Sequence, residues 1–299
     1  MKIFHTVCRA SIPLLAACAL VFALKPIPVF AQDGQESLEI ARQREQLDAL
    51  YRNGDLFEHA VIVEGLVYQA GESFYRFLAL DEPEDARRGE EIAKELKGRI
   101  KHIRGFIQKD YQVQLALDEL EKDLAKYTSE FDALFEARKD FSTQYRDGVF
   151  PLIHQLESQE SSLAKTAAAT GNTDLCHMLV SYAQSIGKIR AAVSASFYSE
   201  EQRESQRVRA YMEGYWSALS RLKEAATLEM QTVLGEAEGT MKNLKDAFDS
   251  FDTLGRSVAM HSSTINECLG AMKACSRELC NVLQARHRAA LQNVGRKMF

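Results

Sequence analysis

Proline is scarce in this chain of 299 residues: there are five, at 13, 26, 28, 83 and 151. Past the first 28 residues, only Pro83 and Pro151 can break a helix through a missing N–H and a ring clash. Glycine is also sparse, at 16 residues, while 46% of the chain is apolar and 26% charged. That balance suits a helical protein with ample core. An excess of positive charge is missing: the net charge is −5, no basic face dominates, and no nucleic-acid partner is expected. The chemical motifs are missing too. No Glu-x-x-His pair exists for a di-iron bundle, and no Cys-x-x-Cys-His for covalent haem. There is no glycine-rich phosphate loop, nucleophile elbow or zinc-protease helix. His59, His102, His154, His177, His261 and His287 are scattered, and Cys176-His177 with Cys268, Cys275 and Cys280 lacks the spacing of a zinc motif. Neither an enzyme, a metal site nor a cofactor is expected.

The amino terminus reads as a secretory signal over 1–31. Lys2 and Arg9 supply its positive end, 11–24 its apolar stretch, and Lys25-Pro26-Ile27-Pro28 the break. Val29-Phe30-Ala31 fits the small-residue rule for cleavage before Gln32. The apolar stretch is short for a membrane span, which needs about 20 residues. Uncleaved, it would leave an inner-membrane anchor. Leu15-Ala16-Ala17-Cys18 resembles a lipoprotein box, but apolar residues continue past the cysteine. No other segment is apolar enough to span, so a periplasmic or secreted protein is expected.

What the chain does have is helical rhythm. In 113–169 the apolar residues Val113, Leu117, Leu120, Leu124, Tyr127, Phe131 and Leu134 alternate steps of four and three, the pattern of a seam facing a partner helix. Helical throughout, that stretch is a rod of roughly 85 Å. Leu56, Ala60, Val63, Val67, Ala70, Phe74 and Phe77 keep the same rhythm, as do Leu175, Leu179, Tyr182, Ile186, Ile189 and Val193. Val208, Tyr211, Tyr215, Ala218, Leu222 and Ala225 form another seam, and a second long helix is expected over 233–294. Breaks are expected at Asp81-Glu82-Pro83-Glu84, with Asp81 as cap, at Ser199-Glu200, and reversals at Lys109-Asp110, Gly171 and near Glu229. Thr173 or Asp174 is the expected cap after Gly171. Ser73-Phe74-Tyr75 returns as Ser196-Phe197-Tyr198, and Phe131-Asp132-Ala133-Leu134 as Phe251-Asp252-Thr253-Leu254. Their matching order points to an internal repeat. The expected fold is all-α and elongated: two stacked four-helix bundles from two long helical hairpins, over about 36–170 and 174–298. Each hairpin is read with an ascending arm broken in the middle and a continuous descending arm.

These features resemble the helical bimodular sensor domain of bacterial chemoreceptors. The run 72–138, with Phe74-Tyr75-Arg76-Phe77, Asp81-Glu82-Pro83-Glu84 and the seam from Leu117 to Leu134, carries the resemblance best, and the pattern covers roughly 36–291. It implies a domain that binds a small organic acid between helices and forms a homodimer. Arginines near the start of the first helix, here Arg42, Arg44 and Arg52, would be candidate contacts by the same resemblance. A departure from that family is expected, because no second span, signalling linker or cytoplasmic domain is read in these 299 residues. A relative of the sensor domain is therefore expected rather than a whole receptor.

Arg138 falls on the apolar seam, where a charge is costly unless paired. Folding about residues 109–111 sets it near Asp81–Pro83, where a guanidinium could grip a carboxylate ligand. The alternatives are a salt bridge to Asp81, Glu82 or Glu84, or a snorkelling side chain. Tyr75, Tyr145 and Tyr198 fall near the same level, with Arg76, Arg256 and His261. These seven residues are the candidate ligand site; the tyrosines serve equally as core residues with hydroxyls at the edge. Export makes a disulfide reasonable, and the arithmetic of the second hairpin pairs Cys176 with Cys280. Cys275 is the competing partner, and unbridged core thiols the other alternative. Two functions follow: an extracytoplasmic sensor-like module, or a structural or adaptor rod of the envelope, such as a minor subunit of a surface or secretion apparatus.

Overall fold

A computed structural model describes residues 34–80, 82–107, 110–198 and 202–298. The signal sequence and the residues Asp81, Lys109, Ser199 and Glu200 lie outside the described residues. Every element is helical: α1 Gly34–Leu80, α2 Pro83–Phe106, α3 Tyr111–Thr143, a π-helical turn Gln144–Val149, α4 Phe150–Thr170, α5 Thr173–Tyr198, α6 Gln202–Ala225 and α7 Leu228–Met298. Among the described residues no helix is long and apolar enough to cross a membrane. The chain divides into a main unit, Arg52–Ala289, and a smaller one formed by its two ends. In the smaller unit, residues 39–45 of α1 are exposed, Arg42 and Arg44 among them.

The helix ends of the main unit follow from local chemistry. Pro83 opens α2 in the first turn, where its missing N–H costs nothing, with Glu82 extended at the cap. Asp110 Oδ1 accepts from the N–H of Gln112 at 3.0 Å and of Val113 at 3.2 Å, capping α3. Gly171, at φ 64°, ends α4 in the left-handed conformation. The cap of α5 is Asn172, one residue before the expected pair. Its Oδ1 accepts from the N–H of Asp174 and Leu175 at 3.1 and 3.2 Å. The Thr227 carbonyl accepts from Met230 and Gln231 and starts α7. Pro151 does not stop the long rod. It lacks an N–H and crowds the carbonyl four residues back. The chain widens into the π turn directly before it, with the Phe150 N–H reaching the Tyr145 carbonyl.

Packing in the main unit makes two four-helix bundles. In the first, α1 and α2 are antiparallel: Ser73 Oγ donates to the Asp85 carbonyl at 2.5 Å, and Arg99 meets His59 at 3.2 Å. Helix α2 runs against α3 through Arg104, 2.7 Å from Asp118 and 2.9 Å from Glu121. Tyr127 on α3 donates to the Ala70 carbonyl on α1 at 3.4 Å. The C-terminal half of α7 is the fourth member, through His261 on Glu130 and Arg277 on Tyr68. The second bundle joins α4, α5, α6 and the N-terminal half of α7. Arg190 on α5 pairs with Glu157 on α4 at 3.0 Å. Arg209 on α6 pairs with Asp249 and Asp252 on α7, both at 2.9 Å. Gln159 on α4 donates to Thr240 on α7 at 3.2 Å.

Two antiparallel rods, α3–α4 and α7, therefore pass through both bundles. Each repeat contributes three helices to its own bundle, and its long helix supplies the fourth helix of the other. The internal repeat becomes a reciprocal exchange.

The broken ascending arms and the disulfide are corrected. Helix α2 does not continue the arm of α1 beyond a kink, since it folds back along α1. Likewise α5 lies antiparallel to α6, with the Tyr182 and Tyr215 hydroxyls 2.9 Å apart. The register of α6 on α7 is as the hairpin arithmetic has it, because Arg209 meets Asp249. Extending that arithmetic through α5 fails, and with it the Cys176–Cys280 disulfide. Cys176 begins α5 beside the Gly171 turn, while Cys280 is buried next to Glu64 of α1 in the other bundle. Cys176, Cys268, Cys275 and Cys280 are all free thiols.

Candidate functional site

The junction between the bundles is built from aromatic rings. Phe141 of α3 stacks on Phe251 of α7 at 4.4 Å and on Phe197 of α5 at 5.4 Å. Tyr145, in the π turn, stacks on Phe197 at 4.3 Å. The approach of Phe141 to α7 needs Gly255, where a Cβ would meet the ring at 3.1 Å. The π turn places Gln144 so that its amide donates to the Ala247 carbonyl at 3.1 Å, and brings the Tyr145 hydroxyl 3.4 Å from Ser194.

Charged groups surround these rings. Arg138 is half-buried, with its guanidinium 5.8 Å from the Phe141 ring centre. Asp85, only 4% exposed, is met by Arg76 at 3.2 Å. Asp252, 7% exposed, accepts from Arg209 and is 3.2 Å from Arg256. The Arg209 hydrogen bond also holds the Asp249 carboxyl below its ordinary range. His261 Nδ1 lies 2.7 Å from Glu130, and Tyr75 donates to Asn266 at 2.8 Å. The side chain of Tyr198 lies outside the described residues. The candidate residues thus sit in separate pairs around the junction. Arg76, Arg256 and His261 each already face a protein carboxylate. Arg52 is exposed on α1.

Two features escape the sequence reading. One is a buried hydroxyl chain in the second bundle: Tyr215 donates to the Ala237 carbonyl at 3.2 Å and shares its oxygen with Tyr182. Burial pushes Tyr182 up to about 12 and raises Tyr215 as well. The other lies at the end of the first bundle away from the junction. Asp55 and His59 are one turn apart on α1, and His102 faces them from α2. Their ligand-type atoms all lie within 4.8 Å of one another. Burial, then the nearby His102, holds the His59 imidazole below its ordinary value. The signal available in the sequence was the i, i+4 pair Asp55–His59; its partner, 43 positions after His59, becomes visible only once α2 is folded back on α1.

No family model matches the chain, and no curated protein matches it. Among solved structures, the TorS sensor domain, crystallised as a complex with TorT in the presence of TMAO, is similar at a TM-score of 0.44 and 12% identity. The match covers 77% of this chain and 99% of that one.

Proposed function

We propose that this chain is an extracytoplasmic, sensor-like helical module that binds a small molecule at the junction of its two bundles, with a small organic acid as the ligand class. The reading rests on where charge is buried. Among the described residues, the two buried carboxylates, Asp85 and Asp252, both lie beside the junction, and their arginines reach into solvent. Elsewhere the seams are apolar or carry neutral polar groups. A ligand carboxylate entering here would compete for Arg76, Arg256 or Arg138 by charge-assisted hydrogen bonds. It would also touch both rods at the π turn, so a local shift would reach both bundles. No catalytic step is part of this reading. Placement in the periplasm or outside the cell, or tethering at the inner membrane, rests on the leader.

The test is a thermal-shift screen of the mature protein against organic acids and amines. A ligand at a hundred times its Kd should stabilise the fold by about 2.7 kcal/mol. Arg138→Ala should abolish that response while leaving a helical spectrum. A response retained in the variant removes Arg138 from the site.

A second reading, an adaptor or structural rod of the envelope that pairs with itself or with another envelope protein, draws on one observation. Val61, Tyr68 and Tyr75 are exposed at seven-residue spacing along α1. Absence of any small-molecule response, with self-association lost on substituting these three, would favour it.

A further inference from the structure

We propose that Asp55, His59 and His102 form a binding site for one first-row divalent transition-metal ion, of the zinc and nickel class, bridging α1 and α2. The argument is geometric. Asp55 and His59 share one face of α1, one turn apart, and α2 folds back to bring His102 opposite. Asp55 offers one oxygen to each ring: Oδ2 lies 3.4 Å from His102 Nε2 and Oδ1 lies 3.8 Å from His59 Nε2. Both separations exceed the 2.7–3.2 Å of a good N–H···O hydrogen bond. They approach the distance of about 3.4 Å between two ligand atoms that share a tetrahedral ion with bonds of about 2.1 Å. The two imidazoles lie with ring centres 3.9 Å apart, and one ligand-type atom from each of the three residues lies within 4.8 Å of the other two, so rotation of the rings can aim both nitrogens at one ion.

The donor set fixes the class of ion. Two imidazoles and one carboxylate suit zinc, nickel, copper and iron; magnesium and calcium prefer all-oxygen shells. Three protein ligands leave at least one position for water or an outside ligand. Arg99 is the opposing element, with its guanidinium 3.2 Å from His59 Nδ1. It also reaches Glu95 at 3.2 Å, one turn back on its own helix. Binding through Nε2 requires His59 to carry its proton on Nδ1, so Arg99 must turn wholly to Glu95. This proposal does not depend on an organic-acid site at the junction.

The experiment uses the full mature chain without an affinity tag, titrated with Zn²⁺ and Ni²⁺ and followed by calorimetry and thermal shift. One equivalent should bind and raise the melting temperature. Mg²⁺ and Ca²⁺ should do neither. His102→Ala and, separately, Asp55→Asn should each weaken Zn²⁺ binding by more than about 100-fold, the upper end of what losing a mere supporting partner costs. His102 and Asp55 are both partly exposed, so these variants should fold. His154→Ala is the control, and its response should equal that of the parent. Zn²⁺ affinity unchanged in His102→Ala or Asp55→Asn, or an equal response to Mg²⁺, overturns the proposal.

Discussion

The two bundles share a plan and differ in chemistry. In the first, the repeated tetrapeptide, which differs between the copies only at Ala133 and Thr253, sets Phe131 against Gly89 of α2, where an added Cβ would come within 3.0 Å of the ring, and leaves Asp132 exposed. In the second, Phe251 stacks at the junction while Asp252 is buried under Arg209 and Arg256. The first bundle carries two groups of imidazoles and carboxylates at its edges, Asp55–His59–His102 and His261–Glu130, besides the buried Asp85. The second keeps a pair of tyrosine hydroxyls in its core. The repeat thus keeps the apolar positions that decide packing, while its shared aspartate is exposed in one copy and buried in the other. Four predictions probe this contrast.

The largest effect tests whether the bundles are energetically one. Phe131→Ala removes a ring that is 2% exposed in the first bundle and should cost about 3–5 kcal/mol. Trp216 is the sole tryptophan and lies on α6, so its fluorescence reports the second bundle alone. Because both rods pass through both bundles, denaturant unfolding followed by Trp216 should shift together with the circular dichroism. An unmoved Trp216 transition would separate the bundles.

Next comes the tyrosine pair. Tyr215→Phe strips the partner from the buried Tyr182 hydroxyl and should cost about 1–3 kcal/mol by chemical denaturation. The pH dependence has a definite sign. The folded protein holds Tyr127, Tyr182 and Tyr215 above their ordinary value of 10.0 through burial, so the unfolded chain loses these protons first. Their contribution is complete below pH 10 and falls as pH rises from 10 through about 12. Stability that stays level across that window would place these hydroxyls in water.

A smaller difference is expected between the two aspartates of the repeat. Asp252→Asn weakens two arginine contacts and should cost about 1–2 kcal/mol, limited because both arginines reach solvent. Asp132→Asn, on the exposed face, should stay within about 0.5 kcal/mol. Equal costs would remove the contrast between the two copies.

The seams explain how much of this was legible in the sequence. Residues from Val113 to Leu134 and from Leu175 to Val193 are buried as their spacing requires, and the fold is all helix. The α6 seam is turned slightly: Met212 and Leu219 are buried where Tyr211 and Ala218 were expected. A four-three rhythm marks which face is covered but not by which helix. Hence it could not tell a kink at 81–82 from a reversal, since Leu56–Phe77 would pack equally well either way. Everything that depends on that choice was hidden: the α1–α2 pairing, the His59–His102 contact and the position of Cys280.

Thiol reactivity reads that choice directly, with almost no effect on stability. If α5 continued into α6, Cys176 and Cys280 would lie opposite one another. With α5 folded back, Cys280 packs on α1, and burial followed by Glu64 pushes its thiol up to about 12. Burial and Glu119 raise Cys275 to about 11. The thiolate is the reacting form, so at pH 8 Cys275 holds about one reactive thiolate in a thousand, and Cys280 fewer. Cys176, half-exposed at the start of α5, has no such cover. A short pulse of alkylating reagent on the native protein should therefore label Cys176 and leave Cys268, Cys275 and Cys280 unmodified until denaturant is added. Non-reducing peptide mapping of the exported protein should recover Cys176 unlinked. A Cys176–Cys280 peptide, or equal labelling of those two residues, would restore the continuous arm and undo the exchange of helices between the bundles.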